Sequence, residues 1–253
     1  MQLHIAVKNA FPQHEEAVDG ICCEVLIGVT THFEDKGWEV EAGNGLLFDS
    51  AIIQLTGQLF NNTQTFHSNV KKAVMKTLLF DYELYPLSSA GNEEAQIKFV
   101  KDKADELLRT SVYLCGKPDA LGKSSNFTHP AIQNACPSLY YSSTASKSLC
   151  QFVKFQNYIP YKALMLVVAI IHTVLSTLCK HSSEVTSNLI AEDVECAYRG
   201  LEGQVDHILG NPYHGPKLDR MLEEWAASRM TGYTTKTGGI TKTSHNEFNV
   251  ILD

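Results

Sequence analysis

One stretch of the sequence comes close to a phosphate-binding loop. Gly116 is followed by the run from Gly122 to Ser124, which reads Gly-Lys-Ser. A loop of the form G-x-x-x-x-G-K-[ST] cradles phosphates with its backbone amides, and its lysine reaches them. Here the first glycine lies one residue too far from the second, and residues 126–130 are a poor start for the helix that such a loop requires. The pattern therefore indicates an ordinary surface loop.

Side chains that could bind zinc occur late in the chain. Cys196, His207 and His214 follow a C-x10-H-x6-H spacing, which matches none of the usual zinc patterns. Cys22 and Cys23 are adjacent, and adjacent side chains on a helix diverge by about 100°. The sequence also lacks the G-x-S-x-G elbow of many hydrolases. We therefore predict no metal site and no cofactor.

No complete catalytic set is present, so the candidates for chemistry are single residues. His172 is the one polar group that we expect deep in the domain, because it lies within a long apolar run. A histidine in such a place most often bonds to a neighbouring carbonyl or hydroxyl, but it can also act as an acid, a base or a ligand. His129 and Tyr198 are the companions that we consider for it, and all three remain weak candidates.

The element that must position His172 is the longest apolar run of the chain, Ala163 to Cys179. Its length is at the low edge of what spans a bilayer, where about 20 apolar residues are needed. The polar residues favour a core helix instead, because they are spaced i, i+1, i+4, i+5 and i+8 and so form one stripe on a helix. We call them the polar stripe: His172, Thr173, Ser176, Thr177 and Lys180. The sequence therefore predicts a buried helix with one wet face, and no membrane span.

Composition limits the compartment and the partners. The chain has 253 residues, of which 44% are hydrophobic and 19% charged, as is ordinary for a globular protein. Its formal net charge of -7 makes a nucleic-acid partner improbable. Seven cysteines and no signal-peptide pattern at the first residues predict reduced thiols and an intracellular protein, cytoplasmic or nuclear.

Helical periods dominate the chain, so we predict an all-α protein. One globular domain of about eight or nine helices, covering residues 1–230, should pack around the central helix at about 161–180. Residues 231–253 are rich in threonine and glycine and have no apolar period, which predicts a polar, mobile tail. The other helices are expected at about 14–31, 46–60, 65–80, 92–114, 129–141, 191–209 and 216–230.

The order of several segments also carries a resemblance. Residues 122–133 end in His-Pro-Ala-Ile-Gln, an aromatic pair follows at 140–141, and the central helix comes next. A helix that opens with Ala191-Glu-Asp completes the series. Over residues 7 to 230 this order resembles an uncharacterised all-helical domain family that is widespread in mushroom-forming fungi. The resemblance implies a helical fold and brings no activity, cofactor or catalytic residues.

Two functions remain open from the sequence. The first is a non-catalytic interaction or scaffolding module, bound to a protein partner or to copies of itself, and it rests on the lack of a catalytic set. The alternative is an enzyme or small-molecule-binding protein with a pocket beside the polar stripe, in which His172 takes part. A cavity that reaches His172 would favour the alternative, whereas a flat apolar patch would favour the first.

Overall fold

A computed structural model describes residues 2–14, 17–37, 45–85, 92–118, 120, 122, 124–141, 148–181 and 191–237. Within those residues the chain forms nine α-helices and no strand, which confirms the all-α prediction. The helices are α1 (Gln2–Val7), α2 (Cys23–Asp35), α3 (Gly45–Asp81), α4 (Glu93–Arg109), α5 (Pro130–Tyr140), α6 (Val153–Gln156), α7 (Tyr161–His181), α8 (Ala191–Leu209) and α9 (His214–Thr237). A π-helical turn, Ala17–Cys22, precedes α2, and a 3-10 turn, Val112–Leu114, follows α4.

The central helix α7 is the core of the domain, as predicted. It packs against α1, α3, α4, α5 and α8. Every residue from Ala163 to Ile171 is buried, because this half of the helix has no polar side chain. The stretch Tyr161–Lys180 is the one described helix that is long and apolar enough to cross a membrane, and 72% of its most apolar window is buried inside the protein. Such burial is typical of a core helix.

The prediction of two helices at 46–60 and 65–80 was wrong, because α3 is continuous over 37 residues from Gly45 to Asp81. The polar residues 61–65 between the predicted helices include no proline or glycine to end a helix. The Thr63 hydroxyl donates to the Phe60 carbonyl at 2.7 Å, and this local bond lets the side chain enter the interior of the helical assembly. This polar run therefore does not break the helix, which continues through residues 61–65.

The helix predicted at 92–114 ends earlier, at Arg109. Asn92 caps its start by accepting a hydrogen bond from the Ala95 amide at 3.1 Å, as capping residues do. Ser111 then has a left-handed backbone with φ of 54°, and a single 3-10 turn follows. This turn lines a groove beside α7.

The last helix runs from His214 to Thr237, beyond the predicted end near residue 230. An isolated glycine at Gly232 did not end it, as helices tolerate single glycines at a modest cost. The break before it was predicted correctly: the Asn211 side chain accepts hydrogen bonds from the amides of Tyr213 and His214. Residues 238–253 lie outside the described part of the chain, so the mobile tail stays a prediction there.

Candidate functional site

A groove of about 780 Å³ opens beside the C-terminal half of α7. One wall is α7 itself, the second is α8, and the third consists of the 3-10 turn and the loop residues Asn126 and Phe127. Apolar side chains also line the groove, among them Leu114, Phe127 and Leu201. We call it the α7–α8 groove.

All residues of the polar stripe line this groove. Two of them already use their hydroxyls within the helix: Thr173 donates to the Ala169 carbonyl at 2.9 Å, and Thr177 donates to the Thr173 carbonyl at 2.8 Å. Ser176 and His172 make no such bond with the described residues and can meet a ligand. The wet face that the sequence predicts on α7 is therefore the wall of a cavity and not ordinary outer surface.

His172 is half-buried in the groove beside Tyr113, with the two ring centres 5.8 Å apart. Burial lowers the pKa of the imidazole below its ordinary value of 6.5, so the ring is neutral at pH 7. A neutral imidazole offers one donor and one acceptor nitrogen. Among the described residues no carboxylate, hydroxyl or thiol is hydrogen-bonded to it, so nothing orients the ring as a catalytic base requires.

The wall opposite α7 contains strained backbone. Ser111 and Phe127 have φ of 54° and 61°, in the left-handed region, which is costly for a bulky side chain such as phenylalanine. Both residues line the groove. Strained residues of this kind concentrate at binding and catalytic sites, where the surrounding structure holds them in place.

Close packing of two loop segments holds this wall. The Gly116 amide donates to the Thr128 hydroxyl at 2.9 Å, and a Cβ atom at Gly116 would lie only 2.6 Å from that oxygen. Gly116 is thus required for close approach of the backbone, which explains the glycine that resembled part of a phosphate-binding loop. The described residues 124–129 are not helical, and α5 begins at Pro130, so the prediction of an ordinary loop is confirmed for them.

His129 lies behind the wall and not in the groove. Its ring stacks on Tyr82 with 4.1 Å between centres, and its Nδ1 accepts a hydrogen bond from the Ala131 amide at 3.2 Å, which caps α5. The Tyr82 hydroxyl in turn donates to the Tyr113 carbonyl at 2.8 Å. His129 therefore supports the residue that contacts His172, although it does not line the groove.

Replacing Tyr82 with phenylalanine should loosen the groove wall. The Tyr82 to Phe change leaves the buried Tyr113 carbonyl without its donor, so we expect a loss of about 1–3 kcal/mol in the free energy of unfolding. Urea unfolding measures it. Tyr85 is exposed and is the matched control, so Tyr85→Phe should change stability by less than about 0.5 kcal/mol. Equal effects of the two changes would contradict this account of the wall.

Tyr198, the third candidate, faces away from the groove. It is buried in the core, and its ring packs edge-on against Phe11 with 5.5 Å between centres. Burial, chiefly, raises the pKa of its phenol well above the ordinary value of 10.0. The structure therefore brings neither Tyr198 nor His129 into the groove with His172.

Sequence reasoning missed the residues that α8 contributes to the groove. Four of them, Asp193, Cys196, Gly200 and Gln204, lie three to four residues apart and so share one helix face. Ala197, Leu201 and Ile208 line the groove beside them. The signal was available, because this polar face is the complement of the apolar face on α8. What the sequence could not provide was its position opposite the polar stripe of α7.

The groove contains oppositely charged side chains and no metal-binding cluster within the part of the chain that the structure describes. Lys180 and Asp193 both line it. Among the described residues, no three histidine, cysteine, aspartate or glutamate side chains are grouped so that they could hold a metal ion. The arrangement can therefore offer hydrogen bonds, both signs of charge and apolar surface to a ligand.

Comparison with known proteins gives a family and no activity. A family model described as "Domain of unknown function (DUF6532)" matches residues 1–208. That range covers α1 to α7 and nearly all of α8, including every element that lines the α7–α8 groove. No curated protein and no solved structure matches the chain.

Proposed function

The chain belongs to this family of domains of unknown function, and we propose that it is a protein-interaction module that binds an extended peptide segment of a partner in the α7–α8 groove. The observation that carries the proposal is the position of the polar stripe. The whole polar face of the core helix lines a groove of about 780 Å³. A polar face that only met bulk water would not require such a groove.

The dimensions of the groove support a peptide ligand. From His172 to Lys180 the stripe covers about 12 Å at a rise of 1.5 Å per residue, and the facing residues of α8 from Asp193 to Gln204 cover about 16 Å. An extended chain advances about 3.3 Å per residue, so about four or five residues fit. Side chains that can hydrogen-bond line the groove from both helices, and apolar side chains line it as well.

The alternative, a small-molecule-binding protein or enzyme, is supported by His172. The groove reaches this ring, and its volume lies within the range of about 300–1,000 Å³ that is usual for ligand sites. His172, however, has no hydrogen-bonded partner among the described residues that would make it a catalytic base. A small molecule that co-purifies with the protein in native mass spectrometry would favour this alternative.

The setting of the module is part of the proposal. We place it inside the cell, in cytoplasm or nucleus, and none of the seven cysteines forms a disulfide in the structure, as expected in a reducing compartment. The acidic net charge of -7 argues against a nucleic-acid partner. From the resemblance of residues 7 to 230 to a family widespread in mushroom-forming fungi, we also propose that the protein comes from such a fungus.

Self-association is a second form of interaction that the proposal includes. The helix α2 is rich in apolar residues, yet none of its residues is buried. Ile27, Val29 and Phe33 are exposed on it, and such side chains are candidates for a contact between copies. Sedimentation of the wild type and of Ile27→Glu tests for such a dimer, because a dimer formed through this helix would dissociate in the variant.

Filling the groove from α8 tests the proposal. Gly200 lines the groove, and a Cβ atom there would meet no other atom within 4 Å. We expect Gly200→Leu to block the groove and to raise the free energy of unfolding by up to about 1 kcal/mol, because leucine favours a helix over glycine. Gly203 is also free of neighbours and does not line the groove, so Gly203→Leu is the matched control.

The measurement uses a phage-displayed library of random peptides about seven residues long, selected on the wild type. Selected peptides should bind the wild type and Gly203→Leu, and should lose at least about tenfold in affinity for Gly200→Leu. They should also protect Cys196, an exposed thiol in the groove, from a maleimide reagent. Peptides that bind Gly200→Leu equally well, or a selection without enrichment, would refute the peptide-binding proposal.

A further inference from the structure

A second cavity of about 360 Å³ lies on the other side of the α7–α8 pair. It shares no lining residue with the α7–α8 groove. Ile170 lines it, two residues before His172 in the groove, and Val194 lines it, two residues before Cys196. Side chains two positions apart on a helix diverge by about 200°, so the two cavities use opposite faces of the same helices.

The second cavity has one polar side and one apolar side. Gln64, His67, Ser68 and Lys71 line it from α3, and their spacing places them on one face of that helix. Phe11, Ile170 and Val194 form the apolar side. A mostly apolar cavity with a few polar groups, of about 300–1,000 Å³, is the usual form of a small-ligand site.

His67 has a defined hydrogen-bonding state. Its Nε2 lies 2.9 Å from the Ala10 carbonyl oxygen, which can only accept, so Nε2 carries the proton. Burial is the main cause that shifts the pKa of this ring, and it lowers the pKa below 6.5. The ring is therefore neutral at pH 7. In a neutral ring with a proton on Nε2, Nδ1 is an acceptor. No donor from the described residues reaches Nδ1.

Packing holds the His67 ring in place. Phe11 packs against it at 5.1 Å between ring centres, and Tyr198 packs edge-on against Phe11 at 5.5 Å. Such aromatic contacts add to the stability that burial provides. Tyr198, which the sequence suggested as a participant in the groove, thus supports the wall of this second cavity.

We propose that this cavity, the His67 pocket, binds a small molecule with a ring-shaped apolar body and one hydroxyl or N–H group. The apolar body lies against Phe11, Ile170 and Val194. The hydroxyl or N–H group donates a hydrogen bond to Nδ1 of His67. A molecule of equal size that can only accept a hydrogen bond would place its acceptor against Nδ1, which also only accepts. Neither atom then has a donor, so this molecule binds less tightly.

Three simple probes test this chemistry in the wild-type protein: phenol, which donates, and anisole and toluene, which do not. Binding is followed by the methyl NMR signals of Ile170 and Val194, which line the pocket. We expect phenol to bind about tenfold more tightly than either of the others, as a net hydrogen bond provides. Anisole or toluene binding as tightly as phenol, or an absence of shifts with all three, would overturn the proposal.

Variants locate the binding site. Ser68 is exposed at the pocket, so Ser68→Leu should fill it and weaken phenol binding at least about tenfold. Thr65 is exposed on the same helix and lies outside both cavities, so Thr65→Leu should leave phenol binding unchanged. His67→Phe keeps the ring and removes Nδ1, so the preference for phenol over anisole should vanish. If His67→Phe does not fold, the probe series and the Ser68→Leu result decide. The α7–α8 groove contains none of these residues, so failure here leaves the peptide-binding proposal standing, and the reverse is also true.

Discussion

Leu166→Ala should be among the most destabilising single substitutions, with a loss of about 2–5 kcal/mol in the free energy of unfolding. Leu166 is fully buried in the middle of α7, where five other helices pack against this one. Removing its side chain loses the transfer free energy of the deleted atoms and leaves a cavity that the surrounding helices can close only in part. Domains of this kind are stable by only about 5–15 kcal/mol, so the variant should unfold at a clearly lower urea concentration.

A leucine on the surface is the matched control for this substitution. Leu55 on α3 is 45% exposed, so Leu55→Ala deletes the same atoms with little loss of burial. We expect a change of less than about 1 kcal/mol. The comparison uses urea unfolding followed by circular dichroism. If Leu166→Ala cost no more than Leu55→Ala, α7 would not be the core of this domain.

The second large effect should be a loss of stability in mild acid. Burial lowers the pKa of three histidines below the ordinary 6.5: His67, His129 and His172. In the folded protein these three rings stay neutral at pH 6.5, whereas in the unfolded chain each of them takes up a proton near that pH. Stability is therefore fully present above about pH 6.5 and is lost as the pH falls from there towards the folded pKa values.

The size of this effect has an upper limit. Each excess proton in the unfolded state contributes at most about 1.4 kcal/mol per pH unit, so three histidines contribute at most about 4 kcal/mol per pH unit. Two influences make this pH dependence smaller: the Ala10 carbonyl favours the charged form of His67, and Asp81 favours the charged form of His129. For His172 burial acts alone. Protonation of His129 would also remove the Nδ1 acceptor that caps α5.

Urea unfolding between about pH 7.5 and pH 5.5 measures the slope of stability against pH. His129→Asn should flatten it, because asparagine does not titrate and is itself a good capping residue. His32→Asn changes an exposed histidine on α2 and should leave the slope as it is in the wild type. A wild-type stability that rises as the pH falls through 6.5 would show that these rings are not held in the neutral form.

Local patterns account for most of what could be predicted about the fold. The break at residues 210–212, the start of α5 at a proline and the buried half of α7 all follow from residue types within one or two turns. The mistakes have the same origin. Residues 61–65 look like a break because they are polar, but in the structure they belong to a long helix, and Thr63 is buried by neighbours that local sequence does not reveal.

The candidate site divides in a similar way. The sequence predicted that one face of α7 is polar, since helical period alone determines which residues share a face. It left open whether that face meets water or a cavity, and it grouped His172 with His129 and Tyr198. Side chains from distant parts of the chain decide such questions, and their positions depend on packing across the whole domain.

The sequence by itself therefore determined the helical class, the central helix and the polar stripe that His172 begins, because all three depend on spacing along a single helix. Only the tertiary structure decided what the stripe faces. It placed α8 and a strained turn at Ser111 across from the stripe and so made a groove, and it joined His67 with Phe11 and α8 into a second pocket. Contacts between segments far apart in the chain follow from the packing of all helices together, and no local pattern encodes them.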